Sequence, residues 1–566
     1  MKQTFRIPCS FALVLALCCR ALCAGPADTA FYRTRDSDDW VRRNLAPQAK
    51  YDRAILVGDP EDFPKIIRVP RLDLNFRGGT ILVDEYPVSL VYKTLQEAAD
   101  AARGGDLVAV MPGTYAGFEI GDKPDAADGR YIHFLATGEG GKVVIDRPAQ
   151  GKDSKWMICL RAAHHVIVDG FNITGATGPG LDPKGPRAGV MIDGDFAGTG
   201  RMAHHIIVIN NYSHNHAGSG LVATDSHTVL VQNNVFAFSC QEHGACVSRG
   251  SDNYCIRTNV FFENAAAGLQ CNLDPSASIN QLLGHEDLRD YPKGGRAREW
   301  ALGLLKLTAE KFGENNFPDG RGINFIIDSN VINGNGKRGG GSLNLAGLQD
   351  SVIQNNLIYG NLTTGIAEWD NANPYDARLP APDPKSADDI KSADDLPFWG
   401  CRGNLIRNNT IVVNTPDCVA VLLSNGSWGN RLRNNIFLND VSYSVEVTGT
   451  SAYRYDSGYN VLNATKIPVQ FIKLADRIDE NTRSVLGVTR EKIAGEFVKF
   501  GDQPWLLVSD SWWKSNPEKP DFRPFQTSKL LHAQGDPQEV PEYDLAGSPR
   551  IGADIGAYGA VSPEKK

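Results

Sequence analysis

One asparagine recurs through the middle of the chain at a nearly fixed step, and that repeat limits the fold more than any other feature. Six segments share the pattern apolar-x-apolar-x-Asn with some slippage: Ile207–Asn211, Leu230–Asn234, Ile256–Asn259, Ile326–Asn330, Val352–Asn356 and Leu405–Asn409. Leu432–Asn435 and Gly458–Asn460 continue it. The last asparagine falls at 211, 234, 259, 330, 356, 409, 435 and 460, so five of seven steps lie between 23 and 26 residues. The steps of 71 and 53 read as single repeats carrying about 46 and about 27 extra residues. A leucine-rich repeat has a similar period, but its leucine ladder is missing here. The period fits a right-handed parallel β-helix, an all-β solenoid with three short strands per coil. Alternation sends half of each strand's side chains into one continuous core. Asparagine tolerates the left-handed backbone of a two-residue corner, and stacked asparagines hydrogen-bond from coil to coil.

A further strand of each coil aligns about ten positions after the asparagine. It gives Gly220–Thr224, Gly244–Ser248, Gly268–Asn272, Ser342–Ala346, Gly365–Trp369 and Ala420–Ser424, preceded by Gly189–Asp193. Period-two reading sends one column outward as Met191, Val222, Cys246, Gln270, Asn344, Ala367 and Leu422. The next outward column is Asp193, Thr224, Ser248, Asn272, Ala346, Trp369 and Ser424, with Asp225, Arg249, Asp274 and Asp370 at the corner beyond. Both long insertions, about 274–320 and 370–402, follow this strand and therefore wall one side of one face. Arg296–Lys311 carries Trp300, Leu302, Leu304, Leu305 and Leu307 and is predicted to lie there as a helix. At the front, Thr94-Leu-Gln-Glu97 matches a capping box opening a helix over Leu95–Arg103, which covers the open end of the core.

Lys2 and Arg6, the apolar run Phe11–Leu17 and small residues up to Gly25 give residues 1–24 the layout of a secretory signal. The expected organisation is then a signal at 1–24, an N-terminal extension at 25–85, the β-helix at 86–465 and a C-terminal cap and tail at 466–566. An exported, secreted or periplasmic chain with no later run long enough to span a bilayer is expected to be soluble and monomeric. Lys+Arg number 58 against 66 Asp+Glu, and loss of Lys2, Arg6 and Arg20 leaves the mature chain near about −11. Without a basic cluster, nucleic acid is a poor partner, whereas an acidic glycan in a local groove is compatible with this balance. Seven cysteines remain after the signal, none with zinc spacing. Cys401–Cys418 is the expected disulfide because the two flank one segment, and Cys255 and Cys271 are expected as buried thiols.

Tyr92, Leu95-Gln-Glu-Ala-Ala99, Gly105-Asp106, Pro112-Gly-Thr-Tyr115, the Asn-Asn corners and Asp554-Ile-Gly-Ala-Tyr558 together resemble the pectate-lyase-like superfamily of secreted β-helix proteins. His243-Gly244, Ser248, Ser251-Asp-Asn253 and Ser548-Pro549 resemble its bacterial members. The resemblance spans roughly residues 90–560 and implies the fold; because the superfamily holds polysaccharide lyases, glycoside hydrolases, uronate epimerases and adhesins, it does not choose a reaction. The Asp-Pro-His motif of alginate epimerases is missing, since Asp274-Pro275 has no histidine after it.

Elimination on a uronate needs a neutraliser for the carboxylate, a base, and usually a cation or arginine. His243 enters the outward strand and Arg249 leaves it, and both are candidate catalytic groups. Lys337 and Arg338 precede Ser342–Ala346 and are candidates to neutralise the carboxylate. Gln270, Asn272, Asn344, Trp369 and Asp370 are the candidate sugar contacts, Trp369 by stacking. Asp193 and Asp225, about 5 Å apart on adjacent rungs, with Glu242 near in sequence, are the candidate calcium ligands. Hydrolysis would instead use two carboxylates from Glu368, Asp370, Asp274 and Asp225. Alternation points Glu368 inward, which implies a bulge or a buried acid. The leading expectation is a lyase on a uronate-containing polysaccharide, with a hydrolase second and a non-catalytic glycan-binding or surface-structural protein third.

Overall fold

A computed structural model describes residues 34–59, 63–74, 82–138, 140–149, 155–175, 186–274, 295–313, 317–370, 384–424, 426–439, 443–499, 521–550 and 552–561. Each coil contributes one strand to each of three sheets, of 14, 11 and 11 strands, parallel throughout except where Ile66–Pro70 pairs antiparallel with Val83–Tyr92 at the end of the first. One coil runs Ala203–Ile209 in the first sheet, Tyr212–His214 in the second and Ser219–Thr224 in the third, before Ser226–Gln232 returns to the first. One coil later Ile207 meets Leu230, Tyr212 meets Val235 and Val222 meets Cys246. The result is a right-handed parallel β-helix, the hand that parallel crossovers adopt. The signal-like segment lies outside the described residues.

The asparagines form an unbroken row at the corner between the first and second sheets. Nδ2 of Asn211, Asn234, Asn259, Asn330, Asn356, Asn409 and Asn435 each donates to Oδ1 of the next, ending on Asn460, at 3.0–3.1 Å. Every receiving Oδ1 also accepts the preceding asparagine's backbone N–H. One expectation is corrected here. The left-handed residue is not the stacked asparagine but its predecessor: Asn210, Asn233, Thr258, Ser329, Asn355, Asn408, Asn434 and Tyr459 have φ of 52–60°. The stacked position therefore requires the amide side chain, while the left-handed position also accepts Thr, Ser and Tyr. A shorter row, Asn264, Asn335 and Asn361, runs along the second-to-third corner.

Thr94 and Glu97 form the capping box, and the helix Leu95–Ala101 buries Leu95, Ala98 and Ala99 on the end of the core. The first sheet begins earlier than the repeat suggests, because Arg53–Val57, Ile66–Pro70 and Val83–Tyr92 extend it. The helix Ser37–Asn44 lies across the outside of that sheet, with Trp40 Nε1 donating to Asn253 Oδ1 at 2.9 Å and Arg257 paired with Asp38 at 2.6 Å. The C-terminal segment covers the second sheet, packing Val488, Phe522, Leu531 and Ile555 against Tyr359, Val412 and Ile436. Its Asp554–Tyr558 stretch docks on the coils directly: Asn408 Nδ2 donates to the Asp554 carbonyl, and the Ala557 N–H to Thr410 Oγ1. Among the described residues no helix is long and apolar enough to cross a membrane.

Cys159, Cys240, Cys246, Cys255, Cys271, Cys401 and Cys418 are all free thiols, with Cys255 and Cys271 buried as expected. The Cys401–Cys418 bridge does not form. Cys401 lies buried at the corner entering the first sheet, held to the Leu348 N–H and the Leu345 carbonyl. Cys418 lies before the third-sheet strand Val421–Leu423, at the other edge of that sheet.

Candidate functional site

Two walls and a polar strip set apart the outer face of the third sheet. The first insertion forms the helix Gly295–Phe312, whose Ala301, Leu304 and Leu305 pack with Phe196, Met202, Phe317 and Trp399. Trp399, from the second insertion, donates Nε1 to the Asp319 carbonyl of the first at 3.0 Å. Both insertions thus pack together on the side where third-sheet strands end. Leu307 is exposed, and Trp300 and Leu302 are half-buried.

The outward columns follow the alternation read from the sequence. Met191, Val222, Cys246, Gln270, Asn344, Ala367 and Leu422 form one row, and Asp193, Thr224, Ser248, Asn272, Ala346 and Trp369 the next. Ser424 lies just past the paired residues, its N–H on the Glu368 carbonyl. Asn344 Nδ2 donates to Gln270 Oε1 at 2.6 Å, and Trp369 Nε1 donates to Asn344 Oδ1 at 2.9 Å. These three side chains from successive coils are one hydrogen-bonded string, which fixes the indole beside two amides. Asn272 is half-buried at the end of its strand, and Asp370 follows Trp369 at the corner.

Two guanidiniums stand along the C-terminal edge of the strip, each held by a carboxylate beneath it. Arg249 Nη1 meets Asp225 Oδ2 at 3.0 Å, with the arginine side chain 44% exposed and the aspartate fully buried. Arg161 Nη1 meets Asp193 Oδ2 at 2.6 Å, and Thr224 Oγ1 donates to the other carboxylate oxygen at 3.1 Å. Arg161 was missed in the sequence, where the strand alignment starts one coil later at Gly189; register places it directly beside Asp193.

The other candidates occupy the opposite edge. His243 precedes the strand Ala245–Ser248 and Arg249 follows it, about 20 Å apart at about 3.3 Å per residue. His243 Nδ1 accepts the Ala267 N–H at 3.2 Å, so the ring proton sits on Nε2 and that nitrogen is a donor. Burial pushes the His243 pKa down, against the pull of Glu242. Arg338 Nη1 reaches the Gln241 carbonyl at 3.4 Å, Lys337 lies 3.9 Å from Glu263, and Glu242 pairs with Arg187 at 3.3 Å. His243, Lys337 and Arg338 therefore share one edge, and Arg249 does not join them.

The expected calcium set is not assembled. Asp193 and Asp225 sit on adjacent coils but each faces an arginine, and Glu242 lies across the sheet with Arg187. A dication there would have to displace two guanidiniums and would still lack the third carboxylate. Glu368 points into the core in unbroken register with Leu345 and Leu423, without a bulge. It is fully buried, accepts one hydrogen bond from Asn404 Nδ2 at 3.1 Å, and burial pushes its pKa up to about 8. A carboxyl sealed in the core is no member of a hydrolytic pair.

A cleft of about 690 Å³ opens at the capped end beside Lys93, Glu97, Tyr115 and Arg147, away from the third sheet's outer rows.

No protein-family model matches the sequence, and no curated protein does. Among solved structures, pectate lyase Pel9A is similar at 14% identity and a TM-score of 0.47, over 90% of this chain and 98% of that one. An alginate lyase from Paenibacillus sp. str. FPU-7 is similar at 13% identity and 0.35, over 64% and 92%. The A-module of the mannuronan C-5 epimerase AlgE4 of Azotobacter vinelandii is similar at 15% identity and 0.37, over 69% and 91%. The fold itself stands on the three ladders and the asparagine row. It is a right-handed parallel β-helix.

Proposed function

We propose that the chain is an exported, carbohydrate-active enzyme that seats a uronate-containing polysaccharide on the outer face of the third sheet and cleaves it by β-elimination. The observation that carries this reading is the edge formed by Arg161 and Arg249 beside the Gln270–Asn344–Trp369 string. Carboxylate-held guanidiniums keep their donors fixed at low entropic cost and match a uronate carboxylate in charge and geometry. Neutralising that carboxylate acidifies the C5–H bond, the step on which elimination depends. The amides and the indole are suited to sugar hydroxyls and a sugar face. His243, an Nε2–H donor on the edge opposite Arg249, suits a hydroxyl of a neighbouring sugar, and the C5 proton passes to a solvent base at the exposed arginine edge. The burial of Glu368 weakens the hydrolytic alternative.

The test is a panel of uronate and neutral polysaccharides, with and without calcium, read by the ultraviolet absorbance of unsaturated ends and by new reducing ends. Absorbance is expected to rise on a uronate chain and to survive chelation. Reducing ends without absorbance would mean hydrolysis, and neither signal would mean binding alone. On the cleaved substrate, Arg249→Ala is expected to lower kcat/KM by about 100-fold or more. Arg249→Lys keeps the charge over buried Asp225 and controls for folding. Trp369→Ala is expected to raise KM by about 3–10-fold with kcat little changed.

A further inference from the structure

Five histidines stack where the chain enters the first sheet. His164, His204 and His227 form one row with ring centroids 5.0 and 5.1 Å apart, and His165 and His205 form another at 4.6 Å with ring planes 11° apart. His165 and His205 both have left-handed backbone, φ 53° and 52°, uncommon for a non-glycine residue. That conformation repeats from coil to coil and aims both rings the same way. Burial and then crowding by neighbouring imidazoles push the pKa values of His165, His204 and His227 down.

We propose that Asp128, His165 and His205 bind a divalent transition metal of the zinc or cobalt class, which clips the loop before Ile132 to two successive coils. The three ligating atoms lie within 4.8 Å of one another, and His165 Nε2 is 3.3 Å from Asp128 Oδ1. A tetrahedral ion with bonds of about 2.0–2.1 Å separates its ligand atoms by about 3.3 Å, so the His165–Asp128 pair already has the spacing and rotation of the stacked His205 ring brings in the third ligand.

The contacts around the His165 ring support the assignment. His164 Nε2 lies 2.9 Å from Asp122 Oδ1, His164 Nδ1 lies 2.9 Å from His165 Nδ1, and His165 Nε2 faces Asp128. His165 Nε2 and the Asp128 carboxylate oxygen thus face one gap, where both can serve as ligand atoms to one cation. The order Asp122, His164, His165 is then the outer shell that sets a metal-binding tautomer. His205 Nδ1 likewise meets His204 Nδ1, at 2.8 Å. Two imidazoles and one carboxylate favour a first-row transition metal over calcium. The Asp128 side chain, 67% exposed, leaves an entry path and room for a fourth ligand.

The experiment is titration of the tag-free, chelator-stripped full chain with Co²⁺ and then Zn²⁺, read by cobalt visible absorption, calorimetry and melting temperature. One equivalent of Co²⁺ is expected to bind with a tetrahedral spectrum, to be displaced by Zn²⁺ but not by Ca²⁺, and to raise the melting temperature. Asp128→Asn and His205→Gln are expected to weaken binding at least about tenfold, whereas His532→Gln, in a separate histidine–aspartate pair, leaves it unchanged. Asp128→Asn alters an exposed side chain, so its apo melting curve is expected to match wild type, separating lost binding from lost folding. Absence of saturable binding, or wild-type affinity in both ligand variants, would overturn the assignment.

Discussion

Replacing Asn356 by alanine is expected to destabilise the protein by on the order of 5 kcal/mol. Asn356 is fully buried in the middle of the corner row. Its Nδ2 donates to Asn409 Oδ1 at 3.0 Å and to the Ile327 carbonyl at 2.9 Å. Its Oδ1 accepts both the N–H and the Nδ2 of Asn330 at 3.0 Å. Alanine removes all four bonds. The Asn330 N–H loses its acceptor in a water-free corner, at about 1–3 kcal/mol. Asn409 Oδ1 and Asn330 Nδ2 keep a second partner, and the other three losses cost about 0.5–1.5 kcal/mol each. Because the row is continuous, the loss falls on two coil interfaces at once. Asn233→Gly is the matched control. That residue is exposed with φ 54°, a conformation glycine adopts freely, so a change below about 1 kcal/mol is expected. Urea or thermal unfolding of the two variants beside wild type measures the difference.

Glu368 gives the other large effect, and it depends on pH. Its folded pKa of about 8 lies above the ordinary 4.5 because burial opposes the charged form, with the Asn404 bond only partly offsetting this. Between those values the unfolded chain has released a proton that the folded chain still holds. Stability from this group is therefore complete below pH 4.5 and falls by about 1.4 kcal/mol per unit as pH rises, levelling above about 8. The accumulated loss is on the order of 5 kcal/mol. Glu368→Gln retains an acceptor for Asn404 and has no charge to bury. It is expected to match wild type near pH 4.5 and to exceed it most at pH 8 and above. The buried histidines have depressed folded pKa values, so they contribute stability above pH 6.5 that is lost as pH falls, a slope of opposite sign. The wild-type minus variant difference in unfolding midpoint isolates Glu368. A constant difference across this range would place the carboxylate in water.

The period of the asparagines and the alternation of the strands were enough to align three sheets, because a parallel β-helix repeats one backbone path and every coil reports the same register. That is why the inward direction of Glu368 and both outward rows could be read before the structure. Residues on corners were less legible. Alternation says nothing about a left-handed residue, so the positive φ was assigned to the stacked asparagine instead of Asn355 or Ser329. His243 and Arg249 were grouped by coil, although six residues of extended chain already imply opposite edges. Arg161 and the histidine rows were passed over because the alignment tracked residues after each asparagine, while His164, His204 and His227 precede the first-sheet strand core. Their signal was present as His-His pairs at 164–165 and 204–205. The reach of Asp554–Tyr558 back across 146–147 residues to Asn408 and Thr410 is of another kind: it is tertiary docking, which no local period encodes.

A crystal of the full chain soaked with a uronate oligosaccharide tests the central claim most directly. The account expects sugar along the outer face of the third sheet, with a carboxylate on Arg249 or Arg161 and a ring against Trp369. Sugar bound instead in the cleft beside Tyr115 and Arg147, or on another face with the Arg249 edge empty, would contradict it.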